Sequence, residues 1–310
     1  MAEIAVAREK GKKHRKWVPR GSSGPLLITP MAGWMVAFFL VPLFLIFVYS
    51  FGYQAVYQNN VKLTFHSSPS EGKYSIQSLH NYRKIISDKI YLKAFGRSMI
   101  MVVGNTVGCL LLGYPLAYFI SLKSGKRKTL FLLMVMLPFW TSFLIRTYAW
   151  MTILETNGLL NTTLQWMHLI KEPLVIMNTS YAVGLGMVYD YLPFVVLPLF
   201  VSIDKIDRSL FEASKDLGAG KWTTFLKVTL PLSVPGIVAG CILCAIPTTG
   251  EFVVPQLLGG DKVVVWGWLI YKAFIGTGDL ALGSAMSNIL LIFMMAIIVL
   301  YVKTMGTEEF

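Results

Sequence analysis

From Ser98 to Leu122 the chain runs for 25 residues without a charged side chain, and from Gly21 to Val61 it does so for 41. A helix needs about 20 predominantly apolar residues to cross a hydrocarbon core. Inside that core, every backbone N–H and C=O must find its partner within the protein, which restricts spanning segments to helices or closed barrels. Four further stretches carry one charge each: Thr129 to Leu154 with Arg146, Pro173 to Ile203 with Asp190, Val228 to Gly260 with Glu251, and Ala273 to Val302 with Asp279. An all-α integral membrane protein with six transmembrane helices is the expectation. The overall content agrees, with 55% hydrophobic and 14% charged residues, an apolar share above that of an ordinary soluble domain.

The predicted spans are 26–53, 94–120, 130–156, 177–203, 231–258 and 281–303. They give a basic cytoplasmic tail at 1–25, a transmembrane domain at 26–303 with its core at 94–303, a polar hairpin at 204–230, and a C-terminal cytoplasmic tail at 304–310. A basic head before an apolar run also opens a secretory signal, but the run from Leu26 to Tyr53 is far longer than a signal's apolar core of about 7 to 15 residues. It is read as a retained first helix.

The formal charge of +12 raises the question of nucleic acid. Its distribution gives another answer. Seven basic residues between Arg8 and Arg20 precede the first span, Lys123, Lys126, Arg127 and Lys128 follow the second, and Lys205, Arg208, Lys215, Lys221 and Lys227 follow the fourth. The short connections after spans three and five hold only Lys171, then Lys262 and Lys272. Such asymmetry is the positive-inside pattern, which places both termini and the 204–230 hairpin in the cytoplasm. The partner it implies is a lipid membrane, with no nucleic acid.

Cys109, Cys241 and Cys244 lie in apolar windows and read as small packing residues, while the four histidines share no ligand spacing, so no metal site is expected. Prolines recur inside the spans, among them Pro115, Pro138, Pro193, Pro198, Pro235, Pro247 and Pro255. Each removes a donor and tends to bend its helix. This argues for a cavity in the bundle, although proline is also commonplace in membrane helices.

The hairpin reads EASKDLGAGKWTTFLKVTLP from Glu212 to Pro231. Asp207 is placed to cap a helix over 208–217, and Gly218 to close it in the left-handed conformation. A second helix then runs through Trp222, Phe225 and Leu226. Leu210, Phe211, Leu217, Trp222, Phe225 and Leu226 make an apolar surface that a cytoplasmic loop does not leave wet. Either it lies against the membrane or the protein's own helices, or a partner covers it.

The spacing resembles the EAA signature of permease subunits of ATP-binding-cassette importers, the binding-protein-dependent inner-membrane components. That signature is Glu-Ala-Ala, three residues, Gly, nine residues, then Ile, any residue, Leu and Pro. Here Glu212, Ala213, Ser214, Gly218, Val228, Leu230 and Pro231 occupy those places, with Ser214 for the second alanine and Val228 for the isoleucine. The resemblance implies a type I importer permease fold whose coupling hairpin fits a groove on a separate ATPase. Glu212 would make the polar contact there, and Gly218 with Ala219 would allow close backbone approach. The segment KDLGAGKW lacks the first glycine and the final Ser or Thr of a phosphate-binding loop. No cofactor is therefore expected on this chain, ATP and Mg being used by the partner, and the chain is expected not to be an enzyme.

A charge inside a spanning helix costs about 2.5 to 3.5 kcal/mol on insertion scales, so Arg146, Asp190 and Glu251 are candidate functional groups. Arg146 is expected in a structural ion pair with Asp190 or with Glu251. Two acids against one base leave a carboxylate for a cationic solute. Tyr189, Tyr191 and Trp150 supply aromatic faces that attract cations, although such residues also form interfacial belts.

The segments LPFWTSFLIRTYAWM from Leu137, VYDYLPFVVLP from Val188 and GEFVVPQLLGG from Gly250 resemble the first permease subunit of spermidine/putrescine importers, over residues 80–303. That likeness implies a second homologous permease, an ATPase dimer, and an extracytoplasmic polyamine-binding protein, periplasmic or lipid-anchored. Asp190 and Glu251, with Tyr189, Trp150 and Glu155, are the candidate solute pathway. Permeases for other organic or metal ions belong to the same wider family. A passive channel and a membrane-embedded enzyme are the rivals from other classes, and the latter lacks a nucleophile or metal cluster.

Overall fold

A computed structural model describes residues 23–52, 79–123 and 125–305. The tails at 1–22 and 306–310, and most of the 54–93 connection, lie outside them. Among the described residues every regular element is helical. The chain divides into two compact units at Ile46/Phe47.

The first apolar run forms α1 (Ser23–Met35), a π turn at Val36–Leu40, and α2 (Val41–Tyr49). Met31, Trp34, Phe38 and Phe39 are exposed along it, as a lipid-facing helix requires. Trp34 stacks on Phe38 with ring centroids 4.1 Å apart.

Beyond it come α3 (His80–Ser87), α4 (Lys89–Leu122), α5 (Lys128–Met136), α6 (Phe143–Leu154), α7 (Leu159–Trp166) and α8 (Ser180–Asp204). They are followed by α9 (Arg208–Asp216), α10 (Lys221–Thr224), α11 (Val234–Gly250), α12 (Val253–Gly259), α13 (Trp266–Tyr271) and α14 (Leu280–Met305). Four uninterrupted stretches, Thr29–Tyr49, Lys89–Leu122, Ser180–Asp204 and Leu280–Val299, are long and apolar enough to span. Two bent pairs raise the number to six if each is one span.

The third and fifth spans are the bent ones, in line with the bending expected of the prolines within them. In the third, Gly125–Trp140 and Phe143–Trp166 meet at 89°. Pro138 sits in a 3-10 turn there, and a proline cannot donate into the helical ladder. Lys221–Leu232 and Val234–Gly250 meet at 62°. The fifth helix also stops at Gly250, because Glu251 is extended (φ −65°, ψ 130°) before α12 begins. By contrast Pro115, Pro193 and Pro198 lie inside continuous helices. The second span starts at Lys89, earlier than its apolar content indicates, where Asp88 Oδ1 accepts from Ile90 N at 2.9 Å. Asp279 likewise accepts from Leu282 N at 3.0 Å and starts the last helix.

The core is built around α8, which packs most extensively on α4 and α11. On α4 the buried face is Asn105, Cys109, Gly113 and Ala117, and on α11 it is Gly236, Gly240, Cys244 and Thr248. Both follow the four-residue spacing that puts side chains on one helix face. Small residues there let backbones approach, the usual basis of helix association in lipid. Val195, Val196 and Leu199 of α8 are fully buried between them. Asn105 Nδ2 donates to Thr248 Oγ1 at 2.9 Å across the seam. The cysteines are free thiols, with Cys109 and Cys244 buried in this layer, as packing residues would be.

A second cluster gathers Ile85, Trp266, Leu282, Ala285 and Met286. Ser98 accepts from Trp266 N at 2.8 Å, and Trp266 Nε1 donates to Met286 O at 3.2 Å, so α13 is tied to α4 and α14.

A Cβ at Gly236 would lie 2.4 Å from Ser202 Cβ and 2.8 Å from Pro198 O. Gly236→Val is expected to force α11 off α8, costing about 1–3 kcal/mol as core overpacking does. The check is a lowered unfolding temperature of the detergent-solubilised protein. Ile237→Val, which only trims a side chain packed on the same core, is the mild control and should lower it less.

Candidate functional site

Two places combine polar chemistry with unusual geometry: the hairpin, and the junction of α6, α8 and α12.

The hairpin folds for local reasons. Asp207 Oδ1 accepts from Ser209 N at 3.0 Å and begins α9. Those contacts hold the Asp207 carboxyl below the usual carboxylate range. Its cap is thus in place above the ordinary carboxylate range and is lost as pH falls through the lowered value. Gly218 has φ +75°, where a side chain is strained, and its N–H donates to Lys215 O at 2.8 Å. Ser214 Oγ and Thr224 Oγ1 are 2.8 Å apart, joining α9 to α10. The serine that replaces the second alanine of the signature therefore staples the two arms.

Glu212 and Ala213 are exposed on α9, as is Gly218 at the corner; Ala219 is half-buried, and Pro231 is exposed where the second arm turns toward α11. Of the six apolar residues expected on one surface, four are exposed: Leu217 at 87%, Trp222 at 77%, Leu226 at 54% and Leu210 at 44%. Phe211 and Phe225 turn inward instead. Phe211 packs on the main core. Phe225 meets Tyr114 and Tyr118 of α4 edge-on, with centroids 5.6 and 5.8 Å away, and Trp222 at 5.9 Å. Tyr114 Oη is 2.8 Å from Ser233 Oγ.

This aromatic block anchors the hairpin to α4 and to the start of α11. Sequence reasoning missed Tyr114, Tyr118 and Ser233, although the four-residue spacing of the two tyrosines on one face of α4 was a signal. A cleft of about 700 Å³ lies beside the block, floored by these rings and rimmed by Lys123, Arg208 and Glu212. Lys128 and Ser121 both bond Asp204 at the end of α8.

At the other junction, Arg146 Nε lies 3.1 Å from Asp190 Oδ1, with the side chains 9% and 1% exposed. The ion pair expected for Arg146 is therefore made with Asp190, not with Glu251. Arg146 Nη1 also donates to Pro138 O at 2.8 Å, and its guanidinium lies 4.7 Å from the Phe139 ring centroid. The charge thus binds the far side of the break in its own span.

Glu251 is half-buried and doubly engaged. Its Oε1 accepts from Val253 N at 2.7 Å and Val254 N at 3.2 Å, and its Oε2 accepts from Tyr191 Oη at 2.6 Å. Trp150 and Tyr189 meet edge-on with centroids 5.4 Å apart. Arg146, Asp190, Tyr189 and Trp150 are thus brought together across α6 and α8, with Glu251 joined through Tyr191. Glu155 is exposed and ends α6, about 13 Å along the helix from Arg146 at 1.5 Å per residue.

Long apolar helices, two of them bent, packed around a buried ion pair are the build of an integral membrane protein. The chain belongs to the family of binding-protein-dependent transport system inner membrane components, whose model matches residues 22–305. It is 38% identical over 276 residues to the spermidine/putrescine transport system permease protein PotB of Salmonella typhimurium (strain SL1344), covering 89% of this chain and 91% of that one. It is 38% identical over 275 residues to PotB of Escherichia coli (strain K12), covering 89% and 95%. Among solved structures, a bacterial ABC transporter involved in the import of the acidic polysaccharide alginate shares the fold, with TM-score 0.68 over 92% of this chain and 94% of that chain at 18% identity.

Phe225→Ala is expected to release the hairpin from α4, since each aromatic pair contributes about 0.5–1.5 kcal/mol beyond its buried area. Amide hydrogen exchange over 208–230 should speed up at least tenfold, and Tyr114→Phe, which keeps the ring contacts, should produce a smaller change.

Proposed function

We propose that this chain is the permease subunit of an ATP-driven importer for polyamines such as putrescine and spermidine. It would pair with a second homologous permease, a cytosolic ATPase dimer and an extracytoplasmic binding protein that delivers the solute. The observation that carries the proposal is the hairpin: a stapled corner bearing Glu212 and the exposed Leu217 and Trp222, anchored to α4 by Phe225 through Tyr114 and Tyr118. A surface of this kind on a cytoplasmic loop fits a protein groove. The loop's lysines and arginine support a cytoplasmic placement, with both termini on the same side.

Nothing in the chain's own hairpin supplies a phosphate-binding loop, so ATP and Mg would be handled by the partner. Closure of the ATPase dimer would pull the two hairpins of the paired permeases together, alternately opening the pathway outward and inward. The match to PotB proteins along nearly the full length of both chains supports a polyamine as solute. Asp190 would provide the carboxylate facing an alkylammonium, with Glu251, Trp150, Tyr189 and Glu155 along the route.

Glu212→Lys puts a cation in place of the hairpin's exposed acid while leaving the staple intact. Insertion and assembly should be unaffected. In vesicles holding the full assembly, labelled putrescine uptake should fall at least tenfold while ATP hydrolysis persists; normal uptake by this variant would remove the hairpin's assigned role.

A further inference from the structure

The two members of the buried ion pair are not equally held. Arg146 keeps two other anchors, the Pro138 carbonyl at 2.8 Å and the Phe139 ring at 4.7 Å. Asp190 has the charge of Arg146 beside it, yet neither of its carboxylate oxygens receives a hydrogen bond among the described residues. A carboxylate has about four lone-pair sites. A pair whose task is to pin two helices is expected to use the parallel two-bond geometry available to arginine and a carboxylate. Here the acid is buried with its acceptors unfilled. Glu251, half-buried nearby, is the opposite case, with one oxygen on two backbone amides and the other on the Tyr191 hydroxyl.

The helices that carry the pair are also unequally fixed. Asp190 stands on α8, clamped by α4 and α11, whereas α6 packs only lightly on α8. Moving α6 away would take Arg146 with it, still bonded to Pro138, and uncover Asp190 beside the Trp150 and Tyr189 rings.

We propose that Asp190 is the amine-binding carboxylate of the pathway and that Arg146 is its place-holder. In the closed arrangement the guanidinium occupies the cation position. When α6 and α8 part, a primary ammonium of the solute takes that position, its three N–H donors filling the acceptors that the guanidinium leaves empty. Glu251 is left out of the exchange because its oxygens are already used. This rests on the polyamine function proposed above and deepens it.

The test uses the complete assembly in vesicles with saturating putrescine-loaded binding protein, and reads putrescine imported per ATP hydrolysed. Asp190→Asn should lower that ratio at least tenfold with hydrolysis within twofold of wild type. The double variant R146Q/D190N removes both charges and so leaves no lone buried ion behind; it should show the same loss. Wild-type import by the double variant overturns the proposal, as does failure of both variants to assemble, which would assign the pair to structure. If the wild-type assembly hydrolyses ATP yet imports no putrescine, the polyamine function falls first and this inference with it.

Discussion

Close backbone approach along α8 is the constraint from which the rest follows. Lipid gives two helices no hydrophobic reason to associate, so their contact relies on dispersion and on polar bonds across the seam. Gly236 and Gly240 let α11 come against Pro198, Ser202 and Val195 without intervening side chains. Cys109, Gly113 and Ala117 do the same for α4, and the Asn105 to Thr248 bond joins the two outer helices. These three helices behave as one layer, and every functional group is positioned by its place in or beside it.

At two of the places where the spans depart from continuous helix, a charged side chain substitutes for the missing ladder. At the Pro138 break the exposed carbonyl accepts from Arg146; at the Glu251 break, the first amides of α12 donate to that residue's own carboxylate. An intramembrane charge is costly, and a freed backbone group inside a membrane is costly too. Each of these residues offsets one cost against the other.

The hairpin was legible almost residue by residue. Asp207 and Gly218 carry local backbone requirements that a sequence states directly, and the EAA spacing located the motif. The long apolar runs were legible for the same reason, since span length is set by a membrane thickness. Less visible were the breaks. Pro138, Pro193 and Pro198 look alike in sequence, but Pro193 and Pro198 are accommodated in a helix clamped on both sides, whereas Pro138 is followed by Thr141 and Ser142, which take extended backbone. The partner of Arg146 was open between two acids because the choice depends on how α6 crosses α8. The inward turn of Phe225 was hidden as well, since its partners Tyr114 and Tyr118 lie on a helix about a hundred residues earlier in the chain.

The two sites meet in the three-helix layer. Phe225 bears on the last turns of α4 through Tyr114 and Tyr118, and the Tyr114 to Ser233 bond reaches the start of α11. Lys128 and Ser121 hold the same end of α8 through Asp204. A displacement of the hairpin is therefore delivered to α4, α8 and α11 together, as a tightly packed block that has no soft seam inside it. The soft seam lies where that block meets α6, with its sharp bend and its light packing. Motion entering at the hairpin therefore has a lightly packed contact to work on, the one spanned by Arg146 and Asp190.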